Sequence, residues 1–210
     1  MKKRIFAVAV VAAFTFASCS SENTAETTGA TAPNQEGTGG DAATTATPTS
    51  IVVETPDFES AAEPLQAQID QLVSQYMELK NALVASDAAA AKAAATEVLT
   101  VAKAMPVATL TTDEKAYAEE KTAAVISAAE AMAAASDVEA QRAHLEHLSE
   151  SLFSLAKAFD AAGQTLYYQH CPMAMNDKGA YWLSANKEIQ NPYFGEKMMK
   201  CGTTEEVYEQ

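Results

Sequence analysis

The stretch LQAQIDQLVSQYMELKNAL, residues 65–83, carries the pattern that decides the fold class. Its apolar residues recur in alternating steps of four and three, which places them on one face of a helix. The members of this stripe are Leu65, Ile69, Leu72, Tyr76, Leu79 and Leu83. The segment Ser60-Ala61-Ala62-Glu63 just before it has a capping pattern, so it predicts where this helix begins.

Three further helices are predicted downstream, each with its own boundary signals. Asp87 opens the second helix, and Pro106 stops it. The segment Thr112-Asp113-Glu114 opens the third, and Asp137 opens a fourth that Gly163 ends. The leucine and alanine stripes of these helices are expected to form the core. Four amphipathic helices joined by short loops predict a mainly α fold, an antiparallel four-helix bundle over residues 58–163.

The composition changes after the fourth helix. Residues 163–208 contain seven of the 15 aromatic residues and four of the eight methionines of the chain. Short strands are predicted at 165–170 and 180–184, with a turn at 176–179 between them. Residues 164–210 are therefore expected to form a small irregular α+β subdomain that packs on the bundle.

Two short segments of this subdomain carry sulfur-bearing side chains. In Cys171-Pro172-Met173, an extended chain points the first and third side chains to the same side. In Met198-Met199-Lys200-Cys201, a helical conformation places the first and last side chains on one face. Thiolate and thioether form a soft ligand set that selects Cu(I) over hard cations, whereas zinc favours Cys and His. The pattern predicts a Cu(I) site formed by Cys171, Met173, Met198 and Cys201.

Two neighbouring residues are further candidate ligands. His170 points away from Cys171 if both lie in one strand, so it ligates only where the chain kinks at Pro172. Met175 lies on the same side as Cys171 if the strand continues. Met199 is expected to be a core residue.

A disulfide between Cys171 and Cys201 is the main alternative to a metal site. An extracytosolic compartment permits it, and closing a loop of about 30 residues stabilises a fold by about 3–4 kcal/mol. In a third interpretation the bond forms without metal and has to be reduced before metal enters. The spacing alone leaves all three alternatives open.

The N-terminal segment has the features of an export signal. Residues 2–4 are basic, residues 5–16 are apolar, and Ala17-Ser18-Cys19 forms a small-residue cleavage site. A cysteine at this place resembles the lipobox of bacterial lipoproteins, which implies cleavage before Cys19 and acylation of that residue. An ordinary secreted protein is the alternative. Residues 1–18 are therefore predicted to be a lipoprotein signal peptide.

Residues 19–57 are predicted to form a lipid anchor followed by a disordered tether. The segment is rich in Thr, Ala, Gly, Ser and Pro, and it has too few apolar residues to offset the entropy of ordering. Because Ser20 follows the cysteine in place of the aspartate that retains lipoproteins at the inner membrane, we expect the outer membrane, facing the periplasm, with exposure at the cell surface as the alternative.

The charge of the chain excludes some partners. The 28 acidic residues outnumber the 14 basic ones, which gives a formal net charge of −14 at pH 7. This charge argues against binding of nucleic acid and against electrostatic binding to anionic lipid. The sequence offers no nucleophile paired with a base, so we expect no catalysis.

The stretch YYQHCPMAMNDKGAYWLSANKEIQNPYFGEKMMKCG, residues 167–202, resembles an uncharacterised domain of bacterial lipoproteins. The same domain is appended to periplasmic adaptor subunits of CusB-type heavy-metal efflux pumps. The matching pieces are Cys171-Pro172-Met173-Ala174, Gly179-Ala180, Trp182-Leu183-Ser184, Asn191-Pro192-Tyr193-Phe194-Gly195, Met198 and Cys201-Gly202. The likeness covers roughly residues 65–202 and is weakest in the alanine-rich helices.

The resemblance implies heavy-metal handling in the periplasm, with copper as the ion. It implies Cys171, Met173, Met198 and Cys201 as ligands, and a heavy-metal efflux adaptor or pump as a partner. This chain has Met199 where the family commonly has leucine, which leaves the number of ligands open. The alternative function is an interaction module without metal, stapled by a Cys171–Cys201 disulfide, that docks an efflux or envelope partner.

Overall fold

The computed structural model describes residues 52–58 and 63–210. The predicted signal peptide, the acylated Cys19, most of the tether and residues 60–62 of the predicted capping pattern lie outside the described residues. None of the helices within the described ranges is long and apolar enough to cross a membrane.

Five helices make up most of the described chain. They are α1 (Glu63–Val84), α2 (Ala88–Lys103), α3 (Thr112–Ala134), α4 (Val138–Arg142) and α5 (Leu145–Ala158). A short 3-10 helix at Val107–Thr109 follows α2. All six residues of the predicted stripe on α1 are fully buried. The prediction of a mainly helical fold is confirmed.

Local capping bonds explain where α2 and α3 begin. The side chain of Asp87 accepts hydrogen bonds from the N–H groups of Ala89 and Ala90, so it caps α2 as predicted. Glu114 accepts from the backbone N–H of Thr111 at 2.8 Å, which closes the first turn of α3. The buried alanines of the two helices are Ala91, Ala95, Ala102, Ala118, Ala128 and Ala129. Their small side chains allow close helix packing, as the sequence predicted.

The prediction of the fourth helix is wrong in two places. The helix is broken between α4 and α5, where buried Arg142 hydrogen-bonds the carbonyl of Leu83 at 2.9 Å. This long-range bond orients α4 independently of α5, and the apolar period does not encode it. The helix also ends at Ala158 and not near Gly163, because Asp160 adopts a left-handed conformation (φ 47°). The Ala161 N–H then donates to the Ala156 carbonyl, which completes a Schellman motif.

The C-terminal part of the chain forms a three-stranded antiparallel sheet. Its strands are β1 (Leu166–Cys171), β2 (Ala180–Ser184) and β3 (Thr203–Tyr208), in the order β2-β1-β3. The first two strands lie where the sequence predicts them. The third was not predicted, because its acidic residues Glu205 and Glu206 mask any apolar alternation.

Helical side chains cover the β2 edge of this sheet. The Tyr181 N–H donates to Glu146 of α5 at 3.3 Å, and the Leu183 N–H donates to the hydroxyl of Tyr76 on α1 at 3.0 Å. The Tyr181 carbonyl accepts from the hydroxyl of Tyr193 at 2.6 Å. These bonds satisfy an edge that would otherwise expose its backbone groups, and they fix the sheet to the helices.

Residues 52–58 contact the folded part, although residues 52–57 belong to the predicted tether. The Phe58 N–H donates to the Ala158 carbonyl at 2.9 Å, and its ring stacks on Phe159 with a centroid distance of 5.0 Å. Contact with the rest of the fold therefore extends at least six residues N-terminal to the start of the predicted bundle at residue 58, since Val52 is bonded to Glu206 of β3.

Candidate metal site

The structure brings two thiols together across 30 residues of chain. The Sγ atom of Cys171 lies 3.1 Å from the Sγ atom of Cys201, and both cysteines are free. Cys171 is buried and Cys201 is half-buried. The pair therefore has one side closed by the core and one side accessible from solvent.

The position of Cys171 follows from the sheet. It is the last residue of β1 and pairs with Ala180 of β2. Pro172 has no N–H to continue the ladder, so the strand ends directly after the cysteine. The thiol is thus held on a rigid strand whose register is set by its neighbours.

The position of Cys201 follows from a close approach of two chain segments. Gly202 has φ +144°, and a Cβ at this residue would lie 2.8 Å from the carbonyl oxygen of His170. Only glycine fits so close to β1. On the other side, the amide of Asn191 donates to the Cys201 carbonyl at 2.8 Å. Nothing in the local sequence signals this bond.

The loop that contains Asn191 is docked on the helices by a buried arginine. The guanidinium of Arg142 donates to the carbonyls of Pro192 and Leu83 and to the hydroxyl of Ser86, at 2.6, 2.9 and 2.8 Å. Gly195 (φ +56°) packs so tightly that a Cβ would lie 2.7 Å from the Ser86 hydroxyl. One guanidinium therefore links the C-terminal end of α1 to the loop beside the thiols.

The Cys171 thiol changes the acidity of Cys201. The hydrogen bond between the two thiols, followed by burial, raises the pKa of the Cys201 thiol. The neutral pair is therefore favoured, and a metal ion would have to displace its protons to bind thiolates.

The predicted methionine ligands of the first segment do not continue the strand. Met173 has helical backbone angles (φ −89°, ψ −9°), so the expectation that it extends on the same side as Cys171 is wrong. Pro172 and a left-handed turn at Met175, Asn176 and Asp177 redirect the chain. Met173 and Met175 are 46% and 38% exposed. Their side chains are accessible beside the site.

The helical part of the second segment, Met198-Met199-Lys200-Cys201, is shorter than the sequence predicts. The 3-10 helix Gly195–Met198 ends before the cysteine, and the Cys201 N–H donates to the Met198 carbonyl at 3.0 Å. Met198 and Cys201 thus close a single turn. Met199 is half-buried, and its carbonyl accepts from the Asn191 N–H at 3.0 Å.

His170 lies in regular strand pairing, between Tyr181 of β2 and Thr203 of β3. Its ring centroid is 4.3 Å from that of Tyr181, which in turn stacks on Tyr168. The chain turns at Pro172, but His170 itself keeps regular strand pairing. The imidazole extends an aromatic stack on its own face of the sheet.

Oxygen and nitrogen ligands do not assemble in the described part of the chain. Across residues 52–58 and 63–210, no group of three or more His, Cys, Asp or Glu side chains is placed to hold a metal ion. Any ion at the paired cysteines would therefore depend on the two thiols and on nearby thioethers.

A family model matches part of the chain. No curated protein and no solved structure shows a significant match to the chain. The matching family model spans residues 72–164, from within α1 to just before β1, and so includes none of the predicted sulfur ligands. Residues 72–164 match the model of the family described as protein of unknown function (DUF3347).

Proposed function

We propose that this chain is a lipid-anchored envelope protein that binds Cu(I) through the thiolates of Cys171 and Cys201. The observation that carries the proposal is the 3.1 Å approach of the two Sγ atoms. Two convergent thiolates form a soft site, which suits Cu(I) and disfavours Mg or Ca. A closed zinc site takes four Cys or His ligands, and the described residues supply no such cluster here.

Metal entry requires a small movement of the thiols. With metal–sulfur bonds of about 2.3 Å, two sulfurs on one ion lie about 3.8 Å apart in tetrahedral geometry and about 4.6 Å apart in linear geometry. The thiols therefore have to separate from 3.1 Å. The Sγ atom of half-buried Cys201 is the one that moves, by rotation of its side chain, because Cys171 is fixed at the end of β1 and the Cys201 backbone is held by hydrogen bonds.

Thioethers complete the proposed ligand set. Met198 closes a turn with Cys201, which makes it the first candidate for a third ligand. Exposed Met173 and Met175 are suited to pass the ion to a partner by ligand exchange, since they are accessible from solvent. The proposed role is buffering of Cu(I) or its delivery to a heavy-metal efflux adaptor or pump, with Cys19 as the lipid attachment site.

Competition for Cu(I) under reducing conditions tests this function. The full mature chain is titrated against a chromogenic Cu(I) chelator, as wild type and as Cys171→Ser and Cys201→Ser. Both variants are expected to lose tight binding. Ala180→Ser is the matched control, because it places a hydroxyl in the same cross-strand pair and retains both thiols. Wild-type protein that fails to compete with the chelator contradicts the proposal.

A structural disulfide is the second candidate, and the same Sγ approach favours it. In this function a Cys171–Cys201 disulfide stabilises the C-terminal subdomain. The subdomain then binds an efflux or envelope partner. The thiol content of freshly isolated protein separates the two candidates. If two thiols besides Cys19 can be titrated, metal binding is favoured. If no thiol besides Cys19 can be titrated, the structural disulfide is favoured.

We also propose that the long helices form the predicted antiparallel four-helix bundle. In support, α1 packs on α2, α2 on α3, α3 on α5, and α5 on α1. The sulfur site would then lie on a small sheet attached to one side of this bundle, through the contacts of β2 with α1 and α5.

A further inference from the structure

We infer that Asn191 is a positioning residue that sets the spacing of the two thiols. The inference deepens the proposed function and rests on it, because it takes Cys171 and Cys201 as the ligands. Asn191 touches neither sulfur and binds no ion itself. It acts by holding the backbone of Cys201 in place.

The side chain and the backbone of Asn191 are fully used within the fold. Its Nδ2 donates to the Cys201 carbonyl at 2.8 Å, and its backbone N–H donates to the Met199 carbonyl at 3.0 Å. Its Oδ1 accepts from the N–H groups of Tyr193 and Phe194, at 2.8 and 3.2 Å. The residue is fully buried. One amide therefore ties the start of the loop to the segment that carries Cys201.

The loop itself is anchored outside the site. Arg142 bonds the carbonyl of Pro192, and Gly195 packs against the end of α1. This places Asn191 in a fixed frame that belongs to the helices, whereas Cys171 belongs to the sheet. Cys201 lies between the two, since Asn191 bonds its carbonyl and Thr203 pairs with His170 of β1, and the bond from Asn191 fixes the Cys201 backbone relative to the loop.

The opposite side of Cys201 is held by Gly202 and, beyond it, by the pairing of Thr203 of β3 with His170 of β1. Gly202 approaches the carbonyl of His170 and the ring of Trp182 closely, and this contact prevents Cys201 from moving toward β1. It does not prevent movement away from β1. The pairing of Thr203 with His170 limits that movement two residues further on, and the Asn191 amide opposes it at the Cys201 carbonyl itself, so its loss should widen the range of thiol separations.

A wider range of separations lowers the effective concentration of one thiol toward the other. Pre-organised ligands bind more tightly because less freedom is lost on binding. Partners that orient metal ligands without touching the ion affect affinity by about 10–100-fold. Both Cu(I) affinity and the tendency to form the disulfide should therefore fall together when the Asn191 donor is removed.

The test variant is Asn191→Asp. It keeps an oxygen for the N–H groups of Tyr193 and Phe194 and removes the donor to Cys201. The matched control is Gln141→Glu. Buried Gln141 also donates a hydrogen bond from its side-chain amide to a backbone carbonyl, that of Ala88. Both residues are far along the chain from the cysteines. Both variants change a buried amide to a carboxylic acid, so general destabilisation is common to both.

Two equilibria are measured on the full mature chain. The first is thiol–disulfide exchange with oxidised glutathione, in which the protein dithiol becomes a disulfide and two molecules of reduced glutathione form. The second is Cu(I) competition with a chromogenic chelator. We expect Asn191→Asp to lower both constants by about tenfold or more, as for the loss of one hydrogen bond to a positioned group. We expect Gln141→Glu to lower neither by more than about twofold.

The outcomes separate the inference from the proposed function. If Asn191→Asp matches Gln141→Glu in the glutathione equilibrium, the positioning role is overturned. If wild type forms the disulfide readily but binds no Cu(I), the copper function fails and the glutathione equilibrium alone decides the role of Asn191. Should Asn191→Asp not fold, Asn191→Ser replaces it, since a serine oxygen caps the same N–H groups but is too short to reach Cys201.

Discussion

Lys157 of α5 and Glu206 of β3 form an ion pair in which both side chains are almost fully buried. The pair also holds the segment before α1. Glu206 accepts hydrogen bonds from the N–H groups of Val52 and Val53, at 2.7 and 2.9 Å, and Lys157 donates to the Val53 carbonyl. A helix, a strand and the N-terminal segment therefore meet at one pair of opposite charges.

Removing one partner of this pair should destabilise the fold strongly. Glu206→Gln leaves the Lys157 ammonium buried without its carboxylate, and breaking a buried pair in this way costs about 3–5 kcal/mol. The measurement is the free energy of unfolding in urea. Glu205→Gln is the control, because it removes the same charge from the neighbouring position of the same strand and should cost about 0.5 kcal/mol or less. Equal losses in the two variants would contradict the structural role of the pair.

Oxidation of the two thiols should stabilise the protein. A disulfide between Cys171 and Cys201 closes a loop of 30 residues, and a loop of this size is worth about 3–4 kcal/mol. We expect the free energy of unfolding to rise by this amount after equilibration with oxidised glutathione. Cys201→Ser should show no response to the oxidant. A wild type whose stability is the same in both redox states would show that the thiols do not reach each other in solution.

Local sequence signals predicted much of the fold correctly. The α1 stripe is buried as its period of four and three requires, and Asp87 caps α2 through its own side chain. The strand at 180–184 lies where the turn signal at 176–179 places it. Each of these features depends on residues that are neighbours in the sequence, so the pattern contains the information.

The features that were missed depend on partners far away in the chain. The break before α5 accompanies the long-range bonds of Arg142, and β3 contains a glutamate that is buried because Lys157 neutralises it. At the candidate site, the sulfur spacing indicated which residues to consider. It did not indicate that Asn191 and Gly202 determine where Cys201 lies, because both act through contacts that appear only after folding.

The guanidinium of Arg142 should be essential for docking the 191–195 loop. Arg142→Lys keeps the charge but cannot reach the carbonyls of Pro192 and Leu83 together with the hydroxyl of Ser86, since an ammonium is a compact donor on a flexible stem. We expect a loss of about 2–4 kcal/mol in the free energy of unfolding, because buried acceptors are left without partners.

The control for Arg142→Lys is a basic residue whose ion pair is exposed. Lys103 pairs with Glu130 at 2.9 Å on the surface, and Lys103→Gln should cost less than about 1 kcal/mol. If Arg142→Lys is as mild as this control, the loop is held by other contacts, and the fixed frame that positions Asn191 would have to be sought elsewhere.

The start of α3 should contribute stability that depends on pH. Hydrogen bonds from the hydroxyl and the backbone N–H of Thr111 lower the pKa of Glu114 below its usual value of 4.5. A carboxylate with a lowered pKa in the folded state stabilises the fold at pH values above 4.5, and this contribution is lost as the pH falls through the folded-state pKa. Glu114→Gln should therefore be less stable than wild type at pH 7, and the difference should shrink on acidification. Urea unfolding at a series of pH values measures this difference in stability. The control is Glu119→Gln, which removes the same charge from an exposed position of the same helix. A difference between wild type and Glu114→Gln that stays constant down to pH 3 would mean that the ionised carboxylate is not what closes the first turn.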